Sequence, residues 1–250
     1  MIKTVYASIS LILCIASPIV YVIVMKKRYE LKVRLWDILV GIVATFLGKY
    51  VLFSYLCSAI VSVFPSLFSS NLSYSILSIV MTCLMICLSV LLVDLFYYKK
   101  KMKFEYGAGF ALGATIADLL NSLLMAALSN VIYLLQMNEG TLYENLLQTL
   151  SEAQADAVIS MYSAYPASYF LYVGIMAVTM LAGNHMMMML VSAYNIDRKK
   201  FYLVFFVITV IITAVVYYYL SPLSLSFANL SLVFIAFLEF TLARNVIRFH

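Results

Sequence analysis

Residues 106–136 read YGAGFALGATIADLLNSLLMAALSNVIYLLQ, a run in which Asp118 is the single charged side chain. A hydrocarbon core ~30 Å thick is crossed by about 20 helical residues rising 1.5 Å each, so this run reads as a membrane-spanning helix. At about 30 residues, or ~45 Å, it is longer than a perpendicular crossing needs and must tilt, kink or project beyond the bilayer. Residues 36–65 form a second overlong run, and 4–25, 74–98, 168–194, 201–220 and 227–243 are further apolar stretches, so an all-α, polytopic membrane bundle of about seven transmembrane helices is expected. Composition agrees: the 250 residues are 65% hydrophobic and 11% charged, with mean hydropathy +1.03, which excludes a water-soluble domain of this size. The whole chain, 1–250, reads as one integral membrane domain, without internal repeat or low-complexity linker.

Charge sets the expected orientation. Lys26, Lys27, Arg28, Lys32 and Arg34 follow the first span, Lys99, Lys100, Lys101 and Lys103 the third, Arg198, Lys199 and Lys200 the fifth, and Arg244 and Arg248 the last. Fourteen of the 16 basic residues therefore fall on one side, which the positive-inside rule makes cytoplasmic, with the N-terminus outside and the C-terminus inside a cell membrane. The net charge of +5 serves orientation and anionic lipid headgroups, and nothing points to nucleic acid. The first span lacks a basic n-region and a small-residue cleavage pattern, so it reads as a retained helix. Cys14, Cys57, Cys83 and Cys87 lie within apolar spans and read as reduced packing residues.

The one sizeable extramembrane segment is about 137–167. Leu142, Leu146, Leu147, Leu150, Ala153 and Ala157 recur there at helical spacing, with Glu144, Glu152, Gln154 and Asp156 on other faces. The pattern predicts an amphipathic helix over 142–157, either a lid packed on its own protein or a docking element.

Function is sought at ionisable groups inside spans, because a charge at the bilayer centre costs roughly 2.5 kcal/mol or more unless paired or wetted. Counted from the basic ends, Lys49, Asp118 and His185 all lie at roughly 20 Å depth. Lys49 with Asp118 is the economical ion pair, Asn121 is one turn beyond Asp118, and Asn184 precedes His185. Asp94 and Glu239 form a shallower layer at ~8 Å. Met186–Met189 read as packing. A lone histidine makes no metal site, since catalytic zinc wants about three protein ligands, and no HExxH, phosphate-binding loop or nucleotide fingerprint occurs. Gly107, Gly109 and Gly113 read as small residues that admit a neighbouring helix.

The order of these pieces resembles the YhfC family of bacterial intramembrane proteases, relatives of the CAAX-protease and bacteriocin-processing group. Leu92–Tyr98 and the lysine loop stand where that family has Glu-Glu-x-x-Arg. Gly107–Asp118, GAGFALGATIAD, stands where it has Gly-His-Gly-Gly-x-Glu, and His185 in LAGNHMMMMLVSAYN matches a later histidine. The resemblance covers roughly 74–216 and implies an intramembrane-protease-like fold. The departures are large: Val93 and Asp94 replace the paired glutamates, Tyr97 the arginine, Ala114 the motif histidine and Asp118 its glutamate, and the last histidine is absent. Asp118 and His185 are thus vestigial catalytic candidates, and the chain is expected to be a pseudoprotease without cofactor, a scaffold or regulatory partner of another membrane protein. Two alternatives are an active metal-dependent peptidase with zinc, using Asp118, His185 and a third group such as Asp94, and a proton-coupled or small-solute transporter using Lys49, Asp118 and His185.

Overall fold

The computed structural model describes residues 1–29, 33–65, 71–99, 103–197, 199–220, 230–231, 233–238 and 241. Among them the ordered elements are helical and no strand occurs. In chain order they are α1 (Ile2–Tyr29), α2 (Leu35–Thr45), α3 (Phe53–Val63), α4 (Asn71–Phe96), α5 (Phe104–Leu119), α6 (Met125–Glu139), α7 (Leu142–Leu147), α8 (Glu152–Ala164), α9 (Ala167–Asp197) and α10 (Lys200–Leu220). Four runs are long and apolar enough to cross a bilayer: Ile2–Lys27, Leu35–Val63, Glu105–Glu139 and Ala167–Tyr194. This is the make-up of a membrane protein. Shorter apolar helices lie at Ile86–Phe96 and Lys200–Ile212, at the expected third and sixth spans, while 227–229, 232, 239–240 and 242–243 of the expected seventh lie outside the described residues.

The two overlong spans are not plain α-helices. A π-helical segment, Phe46–Leu52, joins α2 to α3, and another, Leu120–Leu124, joins α5 to α6. A π turn advances the ladder from i→i−4 to i→i−5 bonding and re-aims the side chains beyond it without proline.

α2 packs on α5, α1 on α9, and α5 on α9. Glycine explains how closely the first pair approaches. A Cβ on Gly41 would strike the Phe110 carbonyl and come within 2.9 Å of the Ala114 nitrogen, and one on Gly113 would strike the Ile38 carbonyl. Gly109 likewise leaves room for Asp37, whose Cβ would be 2.6 Å from an added methyl. At the α1–α9 contact Gly174 faces Ser10, whose hydroxyl donates to the Phe170 carbonyl and accepts from the Gly174 N–H at 3.2 Å.

α9 is the central helix. Met186, Met187, Met188 and Met189 are consecutive and all buried, which on a helix means neighbours on every side. They pack with Phe110, Tyr202 and Phe206 from α5 and α10.

The segment between α6 and α9 corrects the expected single helix over 142–157. Ser151 interrupts it: with Gln154 it forms a capping box, and its N–H donates to Gln154 Oε1 at 3.1 Å, so α8 starts afresh at Glu152. The restart shifts the phase of the buried face. Leu142, Leu146, Ala155 and Tyr162 are buried, while Leu147, Ala153 and Ala157 are exposed. α6 ends at Gly140, whose φ of 76° supplies the left-handed residue that lets Thr141 N–H reach the Gln136 carbonyl at 2.9 Å and turns the chain into α7. The segment is a lid on its own bundle, with Tyr162 packing among Ala7, Leu134 and Phe170.

Candidate functional site

Lys49 and Asp118 meet as expected. The Lys49 ammonium donates to Asp118 Oδ1 at 2.8 Å, and the Tyr50 hydroxyl donates to the same oxygen at 3.0 Å. Lys49 and Tyr50 come from the first π segment, and Asp118 sits one residue before α5 ends and the second begins. The Lys49 ammonium is also 5.8 Å from the Tyr50 ring centroid, within cation–π range. Asn121, on the second π segment, is exposed beside the Tyr50 hydroxyl. Two helices held together by backbone-to-backbone glycine packing thus place a lysine, a tyrosine, an aspartate and an asparagine in one cluster at mid-span.

Asp118 also lines a crevice with Thr115, Ser122, Met180 and Asn184. It has room for about one water molecule. Asn184 therefore joins the Asp118 cluster, whereas its neighbour His185 does not.

His185 is buried, and both ring nitrogens are engaged elsewhere. Nε2 lies 3.1 Å from the Ala108 carbonyl and Nδ1 2.8 Å from the Tyr21 hydroxyl. A carbonyl only accepts, so Nε2 carries the proton, and in the neutral ring Nδ1 accepts from Tyr21. The Tyr21 and His185 rings also meet edge to face, with centroids 5.4 Å apart. His185 therefore ties α1, α5 and α9 together, as a core histidine does when its hydrogen bonds are met. A zinc ion needs a free imidazole lone pair and further ligands. The one lone pair, on Nδ1, is taken by Tyr21, and among the described residues no group of three or more His, Cys, Asp or Glu could hold a metal ion, so His185 as placed does not fit zinc.

Asp94 is buried near the end of α4, and Glu239 lies outside the described residues. A second carboxylate cluster was missed by the sequence reading. Asp37, fully buried in the first turn of α2, accepts from Arg34 Nε at 2.8 Å and Nη2 at 2.9 Å, and from the Tyr98 hydroxyl at 2.7 Å. The Arg34 guanidinium lies 3.8 Å over the Tyr106 ring, which stacks on Tyr98. Hydrogen bonding to Asp37 raises the pKa of Arg34 further. The cluster clamps the starts of α2 and α5 to the end of α4. The i, i+3 spacing of Arg34 and Asp37 was its one visible signal, masked because Arg34 reads first as a topology residue.

No protein-family model, no curated protein and no solved structure matches this chain.

Proposed function

We propose that the chain is a non-catalytic, protease-like membrane protein that serves as scaffold or regulatory partner of another membrane protein. One observation carries this reading. The two side chains that a peptidase would have to keep free, Asp118 and His185, are both spent on cross-helix ties, the first to Lys49 and Tyr50, the second to Tyr21 and the Ala108 carbonyl. A general base must reach a water or substrate proton, and an electrophile must face the developing oxyanion. In this reading the basic ends of α1, α4 and α9 face the cytoplasm and the α7–α8 lid faces outside, as the positive-inside rule requires.

The test is purification from native membranes in mild detergent. A defined membrane protein at fixed stoichiometry, exchanging slowly and reconstituting from pure components, is the expected result. Purified chain that binds zinc stoichiometrically, or that cleaves a transmembrane peptide in a chelator-sensitive way, would replace this reading with the peptidase.

A transport role is the second reading, favoured by the partial exposure of the Lys49 side chain, 31%. Cysteines placed at Thr115 and Ser122, beside the crevice, distinguish it. Labelling by water-soluble thiol reagents from alternating sides supports transport, and protection from both sides supports a sealed ion pair.

A further inference from the structure

Among the described residues, the cluster at Lys49 is satisfied on its inner side and not on its outer one. An ammonium has three N–H donors, and among the described residues that of Lys49 makes one hydrogen bond, to Asp118. Its side chain is 31% exposed. Lys49 lies midway along the Leu35–Val63 run, about 20 Å from either end, beyond the reach of a lysine stem to headgroups. Asn121 is exposed midway along the Glu105–Glu139 run, in the same cluster. Its carboxamide donates one N–H to the Tyr50 hydroxyl, which leaves the other N–H and the carbonyl for a partner among the described residues. Lipid tails can satisfy none of these groups, and the one-water crevice beside Asp118 is lined by neither Lys49 nor Asn121.

What covers this face must offer acceptors to Lys49 and both kinds of partner to Asn121. It must also add no charge, because Asp118 already neutralises Lys49 and a further carboxylate would leave a net negative charge in hydrocarbon. A second copy of the patch offers a neutral acceptor for Lys49 and a donor for the Asn121 carbonyl. It holds surplus donors and a neutral acceptor side by side, so it complements its own copy across a two-fold axis, the self-complementary arrangement of isologous dimers. Met125 and Leu128, in the first turn of α6 just beyond the π segment that carries Asn121, are exposed at 54% and 39% and supply an apolar border.

We infer that a second copy of this chain packs over the Lys49–Asp118 seam, the Asn121 carboxamide of each copy accepting from the Lys49 ammonium of the other. The two π segments are what bring these groups to the surface together. Polar contacts between transmembrane helices are each modest, and two related by symmetry are enough to bias association. The inference goes beyond the scaffold reading and does not depend on it.

The test uses the full chain in phospholipid vesicles. Two-step photobleaching of singly labelled protein at moderate protein-to-lipid ratio is expected, as is oxidative cross-linking of a Met125→Cys variant to a dimer, with no such product from wild type or from Ile12→Cys on the exposed face of α1. Asn121→Leu, an exposed position, removes both symmetric contacts and should weaken the dimer about tenfold or more. A monomer at every ratio, a Met125→Cys variant that does not cross-link, or a dimer indifferent to Asn121→Leu would each overturn the inference. A monomeric chain that still copurifies with a different membrane protein would overturn the dimer and leave the scaffold reading standing.

Discussion

Asp118 has two partners, and Lys49 has Asp118. That asymmetry decides what substitution does. Asp118→Asn leaves an ammonium in the span without countercharge, and breaking a fully buried pair costs about 3–5 kcal/mol, less here because Lys49 is partly exposed. A loss of about 2 kcal/mol is expected, read as a lower unfolding midpoint in detergent. The double variant Lys49→Met with Asp118→Leu removes both charges and should recover most of the loss. A single variant as stable as wild type would show that the pair contributes nothing to the fold. At this scale the sequence was informative where a charge interrupts an apolar run, since Lys49 and Asp118 at equal depth announce each other. His185 was visible by the same rule, but its partners were not: Tyr21 and the Ala108 carbonyl carry no charge pattern, and only the packing of α1, α5 and α9 shows that the ring is fully occupied. Asp37 escaped notice because it sits at a helix start, where an acidic residue is ordinary.

Between elements, glycine sets the spacing of α2 and α5. Gly41 and Gly113 let backbone meet backbone, and the neighbours that an added methyl would strike are carbonyls and an amide nitrogen, which cannot rotate away as a side-chain tip could. Gly113→Ala should force the helices apart, at a cost of about 1–3 kcal/mol from overpacking, and should weaken the Lys49–Asp118 contact one turn and a half further along. The unfolding midpoint in detergent checks the first effect. Combining Gly113→Ala with the Lys49→Met, Asp118→Leu pair checks the second, since part of the glycine penalty should vanish once there is no ion pair to disturb. Gly109 and Gly113 were legible as small residues for close approach, and so was the excess length of both spans. That the length would be taken up by π segments was not, because a π turn depends on what the neighbouring helix pulls on rather than on a breaker residue. The single helix expected over 142–157 failed for a local reason. The apolar spacing from Leu142 to Ala157 is compatible with one helix, but the Ser151–Gln154 capping box starts a second one and rotates Ala153 and Ala157 outward.

The molecule as a whole is a bundle with a lid, and the lid is fastened differently from the rest. Lys3 donates to the Tyr162 carbonyl at 3.0 Å and to that of Ser163 at 2.8 Å, meeting the free carbonyls at the end of α8. Asn138 donates to the Thr4 hydroxyl at 2.9 Å, and the Tyr162 hydroxyl donates to Asn130 Oδ1 at 2.8 Å. Burial pushes the Tyr162 phenol up to about 12, with smaller contributions from Tyr133, Tyr169 and Tyr165 around it. Its pKa is thus higher in the closed lid than the ~10 of an exposed phenol, so the closed form holds the proton more tightly and is favoured fully only below pH ~10. That advantage is lost as pH rises from about 10 through about 12, because the ionised phenol can no longer donate to Asn130 and would carry charge into the cluster of rings. Hydrogen exchange of α8 amides should therefore speed up between pH 9 and pH 11.5 by more than the intrinsic base catalysis of exchange, while that of α9 follows the intrinsic rate. Tyr162→Phe should exchange faster than wild type at pH 9, having lost the bond to Asn130, and should show a smaller excess on going to pH 11.5. An α8 whose exchange tracks the intrinsic rate in both proteins would mean that the lid is held by its apolar face alone.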